Sequence, residues 1–341
     1  MRSVLPRFLR GKQRRALRLA VAVVAVACRK APEPSSLTRT PASVEAPSSA
    51  ATSVPSPPGP AHTSTSQSGA REPVRAVDAS APAPGLDFPA VTANARAGDY
   101  VLAPARAWVD EAIERGAAHQ TFIYYGGWMV EPGPVESSID TLAQRRQVIP
   151  NAFIIAIRRG ERAAPGDVLL TTWASGAGMQ RAIVVAGGSA EAPRVRYLDM
   201  ALDSTSGWGH KDDTLAPNTF HKLARPGEIG TSVACGEAGK AFRRRYTVVQ
   251  RVEQRLLGLG YAGRVRAFDT DECMPLPVSF DVEKGDQVEV PRLEGFGPAK
   301  VTKTQADIGR VWARYEADGE RQEQPFAFID VAKASPAATA K

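Results

Sequence analysis

The chain has 341 residues, with 43 Lys and Arg against 36 Asp and Glu and a sequence pI near 9.4. Seven of the basic residues (Arg2, Arg7, Arg10, Lys12, Arg14, Arg15 and Arg18) fall in residues 1–18, which hold no acid, so residues 19–341 carry no net charge. Nucleic-acid binding needs a basic face that displaces counterions from phosphates; with the charge confined to one end, nucleic acid is excluded as a partner.

In chain order, the basic segment is followed by the apolar run Leu19 to Ala27 and then Cys28. Nine apolar residues are too few to cross a bilayer. A basic region, a short apolar region and small residues before a cut describe a secretory signal over 1–27. The order Ala25-Val26-Ala27-Cys28 resembles the bacterial lipobox, which implies lipidation at Cys28 and a membrane partner through that anchor. Arg29 after the cysteine implies the outer membrane, on its periplasmic or surface-exposed side. Ordinary signal cleavage after Ala27 fits the same residues.

Residues 31–90 carry 12 of the 27 prolines, many Ser, Thr and Ala, and one aromatic, Phe88. Such a stretch buries too little apolar surface to offset its ordering entropy. Residues 28–96 are therefore expected to be an anchor and a disordered tether, of which the sixty residues 31–90 reach roughly 190 Å if extended.

Beyond residue 97 the pattern is mainly β. "PARAWVDEAIER" (104–115) predicts one helix, and 139–147 is open to a second. "VLLTTW" (168–173), "AIVVAGG" (182–188) and "RVRYLD" (194–199) read as strands split by turn residues. Val311, Ala313 and Tyr315 alternate with polar neighbours, the period of a half-buried antiparallel strand.

Two stretches echo each other. Gly166-Asp167 and Gly285-Asp286 each open a strand, a Gly-containing loop, a second strand and a third that ends at Tyr197 or Tyr315. Gly98-Asp99 opens a looser copy, with "TFIYYGGWMVEPG" (121–133) and "AFIIAI" (152–157) as later strands. This turn-and-strand pattern resembles small SH3-like barrels of the Tudor and Agenet type. It implies a divergent β-barrel module at 97–160, Tudor/SH3-like modules at 161–225 and 281–333, a hairpin region at 226–280 and a tail at 334–341. The resemblance also implies aromatic cages for methylated cations, built from Trp173, Tyr197 and Trp208, or from Phe296, Trp312 and Tyr315. Core packing is the competing role for Tyr197, Trp312 and Tyr315.

Of the three cysteines, lipidation of Cys28 leaves Cys235 and Cys273. In an oxidising compartment they are expected to pair, with a loop-closure contribution of roughly 4 kcal/mol; two buried thiols are the alternative. His210, Asp212, Asp213 and His221 crowd one polar stretch (206–221), where imidazoles and carboxylates suit a metal or an enzymatic site, and a solvated loop is the plainer reading. No G-x-S-x-G, H-E-x-x-H or phosphate loop is present, and no cofactor is implied. "FRRRY" (242–246) is a basic run on an expected strand. The sequence thus points to a non-catalytic binding or scaffolding lipoprotein, recognising a peptide, a cell-wall strand or an envelope protein. An envelope enzyme or metal-dependent protein using 206–221 is the alternative.

Overall fold

The computed structural model describes residues 87–116, 120–202, 207–236, 242–293 and 295–334. The expectations for the signal segment, Cys28, most of the tether and the end of the tail lie outside the described residues. Within them the chain forms twenty strands and one α-helix, and no helix is long and apolar enough to cross a membrane.

The strands make four antiparallel sheets of five. Sheet 1 holds β1 (Tyr100–Pro104), β2 (Tyr124–Glu131), β3 (Glu136–Thr141), β4 (Gln147–Pro150) and β5 (Ile155–Ala156), with α1 (Arg106–Arg115) inserted after β1. Sheet 2 holds β6 (Val168–Thr172), β7 (Met179–Gly188), β8 (Pro193–Tyr197), β9 (Asp212–Thr214) and β10 (His221–Leu223). Sheet 3 holds β11 (Ser232–Gly236), β12 (Arg243–Val252), β13 (Arg255–Leu259), β14 (Val265–Asp269) and β15 (Cys273–Pro275). Sheet 4 holds β16 (Gln287–Pro291), β17 (Phe296–Gln305), β18 (Arg310–Ala317), β19 (Glu320–Ala327) and β20 (Ala332–Lys333). In each, the first four strands form a meander and the fifth returns to pair with the first.

One turn sets the register of all four. Gly98, Gly166, Gly230 and Gly285 have φ between 80° and 105°, a region that favours glycine. The glycine N–H donates to Met129, Val184, Val248 or Val301 of the second strand, whose N–H donates back to the carbonyl of Asp99, Asp167, Thr231 or Asp286. Asp99, Asp167 and Asp286 also accept a backbone N–H three residues upstream, at 2.7, 2.8 and 3.0 Å. Thr231 substitutes a hydroxyl, which accepts from the Gly227 N–H at 3.1 Å.

The expected tandem SH3-like, Tudor-type barrels are overturned: the four sheets are arranged as a four-bladed β-propeller. The strand order of every sheet is open, ending on two edge strands. The largest buried cluster draws on all four sheets, including Val101 and Ile139, Leu170 and Ile183, Val249 and Leu257, and Val288 and Val311. Smaller clusters line other faces of sheets 2 and 3, around Leu169, Val195 and Phe220, and around Val233, Tyr246 and Phe268. The turn-and-strand pattern specifies an antiparallel meander, and what the meanders then pack against decides the architecture. The segment open to a second helix, 139–147, is instead the end of β3, a turn and the start of β4. Alternating Ser137 and Ile139 inward keeps it extended.

Candidate functional site

The aromatic candidates fall into two separate groups. Trp173, just after β6, and Tyr197 of β8 meet with ring centroids 4.8 Å apart and planes tilted by 41°. Tyr197 is buried, and its hydroxyl donates to Asp213 Oδ2 at 2.7 Å. Burial, then the Asp213 bond and charge, push that hydroxyl well above the usual tyrosine range. The side chain of Trp208 lies outside what the structure describes. In sheet 4, Lys303 Nζ sits 4.4 Å from the Trp312 ring centre, and the Arg292 guanidinium 4.6 Å from that of Tyr315. The cations that engage these two rings belong to the chain itself. Phe296 packs partly buried beside Ala234, Leu276 and Ala332.

The 206–221 residues disperse. Asp212 pairs with Arg194 at 2.9 Å and accepts Arg196 Nε at 2.8 Å. Asp213 takes the Tyr197 hydroxyl. His210 is exposed. His221 Nδ1 lies 2.6 Å from Glu161 Oε1. Among the described residues no three His, Cys, Asp or Glu side chains gather where a metal could sit. Cys235 and Cys273 are opposite each other on β11 and β15, and are joined as a disulfide.

Two constellations were not singled out from the sequence. The first is an ion cluster where sheets 2, 3 and 4 meet. Arg181 on β7, 1% exposed, donates to Asp199, Asp330 and Ser232. Arg245 on β12 donates to Asp330, and Ser232 Oγ donates to the same carboxylate at 2.7 Å. Burial alone would raise the Asp330 carboxyl, but Arg181 and Arg245 outweigh it and bring it down to about 2. Two guanidiniums against two carboxylates leave the cluster neutral, which suits a junction and not a ligand.

The second is a cavity of about 140 Å³ where sheets 1, 2 and 3 converge. Residues 88–95, placed at the end of the tether by the sequence, supply part of its lining, Val91 to Ala95, whose burial alternates as in an extended segment. Phe88 is buried in the shared core, and Val91, Ala93 and Ala95 pack on that core while Thr92 and Asn94 face outward. Asn151 Nδ2 donates to Val91 O at 2.9 Å, and its Oδ1 accepts the Ser137 hydroxyl. Met129, Ile154 and Ile229 contribute apolar lining to the cavity, and Arg158, His221 and Gln250 contribute polar lining. Of these, sequence reading marked His221 alone. The signal for the others was a polar residue inside an apolar run: Asn151 in "VIPNAFIIAI", Gln250 in "YTVVQRV" and, for the ion cluster, Asp330 in "FAFIDVA". No family model matches the chain, and no curated protein matches it.

Proposed function

We propose that the protein is a non-catalytic binding and scaffolding protein of the bacterial envelope. It is exported, held at the outer membrane by lipid on Cys28, and presents its folded body at the end of the tether. The partner is an extended chain, best matched by the peptide-bearing strands of the cell wall.

The observation that carries this reading is the seat of residues 88–95. A side-chain amide fixes a backbone carbonyl of an extended segment, and small apolar side chains at alternate positions enter the body. That is the physics of extended-peptide recognition: main-chain hydrogen bonds for affinity, alternate side chains for selection. Co-sedimentation of the mature protein with purified cell-wall sacculi tests it. Retention in the pellet is expected, with release by soluble wall fragments. A protein that stays in the supernatant at every salt concentration overturns the wall reading. Intact mass from native membranes tests the anchor: acyl chains on Cys28 are expected, and a chain that still begins at Met1 overturns export.

A further inference from the structure

We propose that the cavity lined in part by residues 91–95 binds a carboxylate carried on a short aliphatic group. This deepens the strand-binding reading and rests on it for its biological setting. The argument starts from size. About 140 Å³ is close to the engineered cavity of roughly 150 Å³ that admits benzene, so the occupant has about six heavy atoms.

Chemistry then selects among such molecules. Three polar side chains from three sheets line the space, Arg158 just after β5, His221 on β10 and Gln250 on β12, and two of them, Arg158 and Gln250, carry N–H donors in any state. Gln250 is 8% exposed; its Oε1 accepts the Arg251 N–H at 3.1 Å, and its amide NH2 makes no hydrogen bond among the described residues. That NH2 is accessible and remains available to a ligand acceptor. Arg158 is exposed at the rim and makes no ion pair among the described residues. His221 commits Nδ1 to Glu161, and Glu161 also accepts the Lys222 N–H. No Asp or Glu is among the residues that line the cavity. Donors from Arg158 and Gln250 together with apolar lining from Met129, Ile154 and Ile229 match a carboxylate with an alkyl tail. A free cation meets no unengaged acid there.

Two sources share this chemistry: a free short-chain acid, and the C-terminus of a peptide ending in a small aliphatic residue. The test uses the mature full chain with methyl-labelled isoleucine, titrated by NMR with butyrate, butyramide and N-acetyl-dialanine. Butyrate is expected to shift the Ile154 and Ile229 methyls and to bind at least tenfold more tightly than butyramide. Arg158→Gln, at an exposed position, is expected to weaken butyrate tenfold without changing the melting temperature, and Gln250→Leu to weaken it as well. Tighter binding of the dipeptide assigns a peptide terminus; its exclusion with butyrate retained assigns a free acid. Equal affinity for butyrate and butyramide, indifference to both substitutions, or no methyl shift overturns the proposal. Sacculus binding without carboxylate preference would remove the cavity and keep the function; the reverse result would keep the cavity and remove the function.

Discussion

Sheets 1 and 2 are built on one plan, yet differ at one position of the second strand. Three residues before the strand residue that engages the entry turn, sheet 2 carries Arg181 and sheet 1 carries Gly126. The first-strand partners are Leu170 and Leu102, so the positions are equivalent by register. Arg181 reaches out of its sheet to Asp330 and Ser232. Gly126 lies under the Tyr100 ring, whose hydroxyl meets Thr172 Oγ1 of sheet 2 at 3.2 Å. Sheet 3 follows sheet 2, with Arg245; sheet 4 has Pro298. The repeated turn builds the sheets, and the unrepeated residue at this position makes each junction different from the next.

The largest break in the comparison is Arg181→Ala. It leaves Asp199 and Asp330 without their buried partner, and a loss of roughly 3–5 kcal/mol in denaturant unfolding is expected. Arg245→Ala at the equivalent site should cost far less, because Arg245 is 39% exposed and water replaces it. Equal losses would mean that register, and not burial, sets the contribution. The same cluster gives a pH signature. The Asp330 carboxyl is depressed from 3.8 to about 2, so its stabilising contribution is full above pH 4 and falls away as pH drops toward 2. Acid unfolding curves of the native chain and of Asp330→Asn should diverge above pH 4 and converge near pH 2.

Much of the sheet architecture was legible because it is local. A Gly-Asp turn followed by alternating apolar residues specifies a strand entry wherever it occurs, and three of the four were read at 98–99, 166–167 and 285–286. The fourth, Gly230-Thr231, was missed because its hydroxyl does the work of a carboxylate. The step from meanders to barrels failed for a different reason. Closure depends on which faces meet, and that is set by contacts such as Gly126 N–H to Gly176 O at 2.8 Å and Phe122 N–H to Gly263 O at 2.8 Å, between residues far apart in sequence. The site was the least legible part. His221 was visible as a polar candidate, but Arg158 and Gln250 become its neighbours only when three sheets converge, and the conspicuous His210–Asp213 stretch disperses onto arginines and a tyrosine.

A smaller break is Gly126→Ala. A Cβ there would lie 1.8 Å from the Tyr100 hydroxyl oxygen, so the ring must leave its place against Thr172 and Trp128. Overpacking of this kind costs about 1–3 kcal/mol. Tyr100→Phe in the same chain removes the oxygen that clashes and should recover part of the loss in thermal melts. If it recovers nothing, the ring itself and not its hydroxyl occupies the space.

The smallest effect tests whether the four entry turns are interchangeable. Asp286→Ala removes the acceptor for the Glu283 N–H, at 3.0 Å, and should cost about 0.5–1.5 kcal/mol. Asp286→Thr installs the residue that sheet 3 uses and should cost less than the alanine. The reciprocal change is not equivalent. Thr231 is 1% exposed, so Thr231→Asp buries a carboxylate among groups arranged for a hydroxyl and should destabilise more than either change at 286. If both swaps were neutral, the turn would tolerate any short acceptor, and the hydroxyl in sheet 3 would carry no information about its surroundings.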